Sequence, residues 1–170
     1  MTSKTMRVRE ASRDDAAVIA TVIRAAWRGV NKQFGLSKKQ LPGSPAYCRP
    51  EWITKGLDKG VRFFLAEVDA KAVGCVGMTA PKDGASELVR LAVLPAQRRN
   101  GLGAMLVEHV VSQALSLGLE RVDLALIADR TELLQWYEKQ GFTLTRVDSP
   151  PHLPFKVAWM SREVAGQKNM

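Results

Sequence analysis

The sequence predicts an α/β protein of the α+β kind, with a mixed, mostly antiparallel central sheet of about seven strands flanked by about four helices. Three observations predict it. The apolar segments "VRFFLAEV", "AVGCVGMTA" and "ELVRLAVL" follow one another through "DAK" and "PKDGAS", connectors tight enough for antiparallel hairpins. Strand 87–94, a helix over 101–117 and strand 121–127 form a βαβ unit, whose strands run parallel with a right-handed crossover. An amphipathic stretch near the N-terminus supplies a helix to cover one face. The 170 residues make one domain, long enough to bury a real core.

Taken in order, "MRVREA" is a short strand. "SRDDAAVIATVIRAAWRGV" is a helix that Ser12 can cap, with Asp14 and Asp15 in a first turn that favours negative charge. Ile19, Val22, Ile23, Ala26, Trp27 and Val30 recur at i, i+3 and i+4 and mark its buried face. From Arg28 to Pro50 glycines and prolines break the pattern, which predicts an irregular segment with at most a short helical piece. A short helix over 51–59 carries Trp52, Ile53 and Leu57. After the three hairpin strands, the helix over 101–117 stops at Gly118. "RVDLALI" is a strand, and "TELLQWYEKQ" is a short helix ended by Gly141, with Asp129 as its expected cap and Glu132 completing a capping box. "FTLTRV" and "FKVAWMSRE" are closing strands around the loop "DSPPHLP", and "AGQKNM" is expected to fray.

Composition narrows the function classes. No window approaches the ~20 apolar residues of a membrane helix, and the N-terminus has no apolar signal core. Cys48 and Cys75 are too few for a disulfide framework and neither sits in a CxxC, so the expectation is a cytoplasmic protein with reduced thiols and no metal. Basic residues outnumber acidic ones 25 to 17, for a net +8, which suits a polyanionic ligand. The charge is spread along the chain without interleaved aromatics, so a nucleic-acid partner rests on charge alone.

The most informative stretch is "LAVLPAQRRNGLGAMLVEHV". Pro95 ends the strand and holds Leu94 extended. Gly101 and Gly103 permit backbone conformations and close approaches that a Cβ blocks. The first turn of a helix has N–H groups without partners, and with the helix dipole they form an anion site. Arg98 and Arg99 add charged donors. "RRNGLG" before a helix therefore suits a pyrophosphate. It lacks the GK[ST] ending of a nucleotide P-loop, and Leu106 takes the third glycine place of the dinucleotide fingerprint. A plain glycine turn with two solvated arginines is the alternative, and the strand–proline–arginine–glycine–helix order weighs against it.

"VLPAQRRNGLGAMLVEHVV" resembles the R-x-x-G-x-G signature of the GNAT N-acetyltransferase superfamily, with Arg98, Gly101 and Gly103 in its fixed places. "LLQWYEKQGF" is similar to the family's LYEKxGF helix, and the element order matches to about Glu163. The resemblance implies that the fourth and fifth strands splay apart and that acetyl-CoA, or another acyl-CoA, lies between them. It places the pyrophosphate on main-chain groups of Arg99, Asn100, Gly101, Leu102, Gly103 and Ala104, and the pantetheine arm along Leu91, Ala92 and Val93. Arg130 stands where many members carry a coenzyme-contacting asparagine, so it reaches a coenzyme phosphate, an acceptor carboxylate, or only solvent.

Acyl transfer to an amine needs a base for the ammonium, donors for the oxyanion and a proton for the departing thiolate. Tyr137 matches the family's acid, although the residues alone favour a member of a helix's apolar face, with Leu133, Leu134 and Trp136. Glu87, opening "ELVRLAV", stands where some members carry a catalytic glutamate, and an exposed strand-end carboxylate is the even alternative. Asp123 and, more weakly, His152 are other bases, and ordered water is another route. By resemblance the acceptor site is built from residues 27–52 and 148–155, where Trp27, Phe34, Tyr47, Trp52, His152 and Phe155 offer apolar surface without an acidic cluster for a polyamine. The acceptor is a small-molecule or peptide amine, and the state a monomer or homodimer. A non-catalytic coenzyme-binding domain of the same fold is the alternative.

Overall fold

The computed structural model describes residues 5–164. The expected fraying of "AGQKNM" lies outside them. A seven-stranded sheet carries the fold in the order β1-β2-β3-β4-β5-β7-β6. Its strands are β1 (Met6–Glu10), β2 (Arg62–Val68), β3 (Lys71–Met78), β4 (Ala85–Val93), β5 (Arg121–Ile127), β6 (Thr143–Asp148) and β7 (Val157–Glu163). The helices are α1 (Ala16–Phe34), α2 (Pro50–Asp58), α3 (Leu102–Ser116) and α4 (Thr131–Lys139). All neighbouring strands pair antiparallel except β4 with β5.

Each face of the sheet buries its own core. Ile19 and Ile23 of α1 and Ile53 of α2 pack on Phe63, Leu65 and Cys75. Leu102, Leu106 and Val110 of α3 pack on Phe64, Val76, Leu124 and Met160. Helices on both faces explain why residues 63–66 of β2 are a continuous apolar run instead of an alternating one: successive residues point into two cores.

Two expectations need correction. The first helix does not break near Arg28 but runs through Gly29 to Phe34 and stops at Gly35, whose φ of 61° is left-handed. Packing overrides the weak helix preference of glycine here. Val30 is buried, and Asn31 ties the next segment down by donating to the Leu36 carbonyl (2.6 Å) and accepting from the Ser44 hydroxyl (2.5 Å). The second concerns α4. Its cap position is Arg130, and no side chain caps it, so Asp129 does not.

The sheet opens in its middle. β4 and β5 pair only at Ala85–Arg121, Ser86–Val122 and Glu87–Asp123. Beyond Glu87 they diverge, leaving strand backbone without a sheet neighbour on that side. A bulge bends β4 at the same place: Gly77 faces Val89 and Cys75 faces Ala92, so Arg90 and Leu91 are out of step. Arg90 takes a φ of 52°, and the Cys75 thiol donates to its carbonyl at 3.5 Å.

Arg9 ties β1 to the start of α1. It donates to Asp15 at 2.9 Å and 3.0 Å and to the buried Glu67 at 3.1 Å, and Arg7 also donates to Glu67. Hydrogen bonding from Arg9 holds the Asp15 carboxyl at about 2, below its ordinary value of 3.8. A depressed carboxylate stabilises the fold above its unfolded pKa, and that contribution is lost as pH falls from about 4 towards 2. Arg9→Met is expected to lower the unfolding free energy in urea at neutral pH by about 1–3 kcal/mol and to flatten the acid limb below pH about 4. An unchanged acid limb overturns this assignment.

Candidate active site

The site begins where β4 ends. A short 3-10 turn at Pro95–Gln97 leads into Arg98, and the chain then takes left-handed φ values at Arg99 (68°) and Gly101 (79°). Such turns aim successive N–H groups inward. Gly101 caps α3 without a side chain, and the first helical bond runs from Met105 N–H to the Gly101 carbonyl. The N–H groups of Leu102, Gly103 and Ala104 precede it with no side-chain cap. At Gly103 a Cβ would stand 3.3 Å from the Trp136 ring of α4, so glycine allows that approach.

Arg98 has a structural task. Its Nε donates to the Val93 carbonyl at 3.1 Å and its Nη2 to the Ala26 carbonyl of α1 at 3.0 Å, fastening the loop to β4 and α1. Arg99 and Asn100 are exposed.

These elements enclose a cavity of about 350 Å³. Leu91, Ala92, Val93, Arg98, Arg99, Gly101, Leu102, Gly103, Ala104, Arg130 and Tyr137, all drawn from the sequence, line it, and Asn100 does not. Leu91, Arg130, Leu133 and Tyr137 also border a crevice of about 190 Å³ between β4 and β5, which Glu87 and Trp27 line as well. These shared walls stand between the glycine loop and the point where the two strands part.

Tyr137 is buried and held edge-on between Trp136 (5.1 Å) and Phe142 (5.7 Å). Burial pushes its phenol well above its ordinary pKa, and the nearby Arg130 only partly opposes this. It therefore keeps its proton at neutral pH. The Arg130 guanidinium lies 5.9 Å from the Trp27 ring, and burial lowers its pKa.

Glu87 occupies the last position at which β4 pairs with β5, with its N–H donated to Thr79 Oγ1 at 2.8 Å and its residue half-buried. Asp123, opposite it, accepts from Arg121 at 3.1 Å and from Ser161 at 2.6 Å and lines neither the cavity nor the crevice. His152 is exposed and borders neither the cavity nor the crevice. Phe34 and Phe155 pack beside Val30 and Ile127, and the Tyr47 hydroxyl donates to the Leu36 carbonyl, so these aromatics serve packing. Sequence reasoning missed Leu133 and Trp136 as cavity walls, and Arg90 as a crevice residue. A cation inside the apolar run "ELVRLAV" was the signal for Arg90.

Among the described residues no group of His, Cys, Asp or Glu is arranged to hold a metal ion. No helix among them is long and apolar enough to cross a membrane.

Comparison with known proteins agrees with this geometry. The model of the acetyltransferase (GNAT) family matches residues 30–142. A mycothiol acetyltransferase of Streptomyces griseus is 34% identical over 149 residues, covering 85% of this chain and 44% of that protein. An amino-acid acetyltransferase of Ralstonia nicotianae is 33% identical over 110 residues, covering 64% of this chain and 24% of that protein. The chain thus spans less than half the length of these relatives. A PaiA N-acetyltransferase from Thermoplasma acidophilum, crystallised with coenzyme A, superposes with a TM-score of 0.77 at 17% identity, over 94% of this chain and 99% of that one. The ribosomal-protein-S18-alanine N-acetyltransferase of Escherichia coli gives 0.75 at 15% identity, over 98% and 99%. With this family match over most of the sequence and the same open-sheet fold, the chain belongs to the acetyltransferase (GNAT) family.

Proposed function

We propose that the chain transfers an acetyl group from acetyl-CoA to an amine by direct attack. The observation that carries this reading is a cavity lined both by the capless start of α3 and by a protonated, buried tyrosine, which also borders the crevice where β4 and β5 part. The residues fit the coenzyme. The Leu102, Gly103 and Ala104 amides suit a diphosphate, and the unpaired edge of Leu91–Val93 suits an amide-bearing arm.

Bound there, acetyl-CoA supplies an activated acyl carbon. Glu87 takes one proton of the acceptor ammonium, directly or through water, and passes it to solvent; the freed nitrogen forms the new C–N bond and then loses its second proton to Glu87 or water. As the C–S bond breaks, Tyr137 gives its proton to the departing thiolate and regains one from solvent. Arg130 places positive charge at the crevice.

The test is a melting curve and a thiol-release assay. Acetyl-CoA at ~100 times its Kd is expected to add about 2.7 kcal/mol of stability, and an amine panel to release free thiol. Cys48 and Cys75 are fully buried, so thiol reagents should read the coenzyme and not the protein. No stabilisation by acetyl-CoA overturns the reading; stabilisation without thiol release makes the chain a coenzyme binder.

A further inference from the structure

We propose that the acceptor is a small amine that also carries an oxyanion, a carboxylate or phosphate, received by Arg90 with Lys55 and Lys59. This rests on the acyl-transfer reading above. Arg90 lies at the β4 bulge, in a left-handed conformation that an L side chain rarely adopts. Residues held in such conformations cluster at ligand sites. Its guanidinium lies 5.8 Å from the Trp52 ring of α2.

The charge around it is one-sided. On other strands of the sheet, Arg9, Arg62 and Arg121 each hold a carboxylate. Among the described residues no ion pair forms at Arg90. A groove of about 490 Å³ between α2 and the sheet is lined by Trp52, Lys55, Lys59 and Arg90, with no Asp or Glu in its walls. It shares Val89 and Arg90 as walls with the β4–β5 crevice, which Glu87 lines. Groove and crevice together are bordered by four cations, Lys55, Lys59, Arg90 and Arg130, and one carboxylate, Glu87. That balance repels a polyamine. It suits a molecule whose ammonium goes to Glu87 while its oxyanion stays on Arg90, whose fork of donors can grip two oxygens at once.

The experiment measures thiol release from acetyl-CoA with matched amines: α-amino acids against their carboxamides, phosphoethanolamine against ethanolamine, and spermidine. The two anionic arms tell carboxylate from phosphate. At least one anionic amine is expected to exceed its neutral partner about tenfold or more in kcat/KM, as charge-assisted hydrogen bonds allow. Arg90→Gln should erase most of that preference through KM, and Lys55→Gln with Lys59→Gln should reduce it in part. The acetyl-CoA melting shift should persist in both variants, which shows that they fold. The inference is overturned if spermidine or the neutral partners are preferred, if no anionic amine is acetylated, or if Arg90→Gln leaves the preference intact. If acetyl-CoA itself fails to stabilise the protein, the acyl-transfer reading fails first and takes this one with it.

Discussion

Tyr137→Phe is expected to lower turnover by about 10²-fold or more at saturating amine, the loss typical of removing a positioned proton donor. Coenzyme affinity should barely change. The substitution removes one hydroxyl and leaves the ring edge-on to Trp136 and Phe142, so α4 and the cavity wall keep their shape. A departing alkyl thiolate is stabilised by a proton delivered as the C–S bond breaks, and burial keeps the proton on the Tyr137 phenol. The neighbouring Arg130 cannot replace it, because guanidinium does not give up a proton in proteins. The measurement pairs thiol release with the acetyl-CoA melting shift. Equal turnover in the variant removes Tyr137 from the chemistry; loss of both turnover and melting shift shows instead that it is part of the coenzyme's packing wall.

How much of this could be read from the chain follows from what each feature depends on. The glycine loop was legible because its demands are local: a left-handed Gly101, a side-chain-free approach at Gly103 and a helix start leave fixed letters at fixed spacing. The hairpin strands were legible because both faces of β2 and β3 are largely buried, so Phe63–Ala66 and Val73–Met78 are unbroken by charge. The end of α1 was not, because it depends on Asn31 meeting Leu36 and Ser44 in the folded chain. The missing cap of α4 was hidden too: Asp129 and Glu132 have the right spacing, yet the chain enters the helix one residue later. Arg98 was visible as a charge, but not as a fastener to Ala26, which lies far away in sequence. The bulge at Arg90 breaks the period of two on which strand reading relies, so its direction could not be inferred from its neighbours.

Ala104→Asp separates the fold from the function with effects of opposite sign. Gly101 caps α3, so Ala104 is the third residue of its first turn. Carboxylates there stabilise helices, and both α2 and α4 have one in the first turn, Glu51 and Glu132. α3 has none. Its positive end is left free and faces the cavity through Leu102, Gly103 and Ala104. An aspartate at 104 is therefore expected to raise stability without coenzyme by about 0.3–1 kcal/mol in urea unfolding. The same carboxylate places negative charge beside the proposed diphosphate. A pair of like unit charges 4 Å apart near a protein surface repels by about 4 kcal/mol, and 1.4 kcal/mol is tenfold in affinity. Acetyl-CoA affinity should fall by at least about 10²-fold even after screening by salt. Ala104→Asn, of nearly the same shape without the charge, should lose much less. Calorimetric titration of both variants decides the matter: equal affinities for acetyl-CoA in the aspartate and asparagine proteins would mean that the start of α3 does not hold the phosphates.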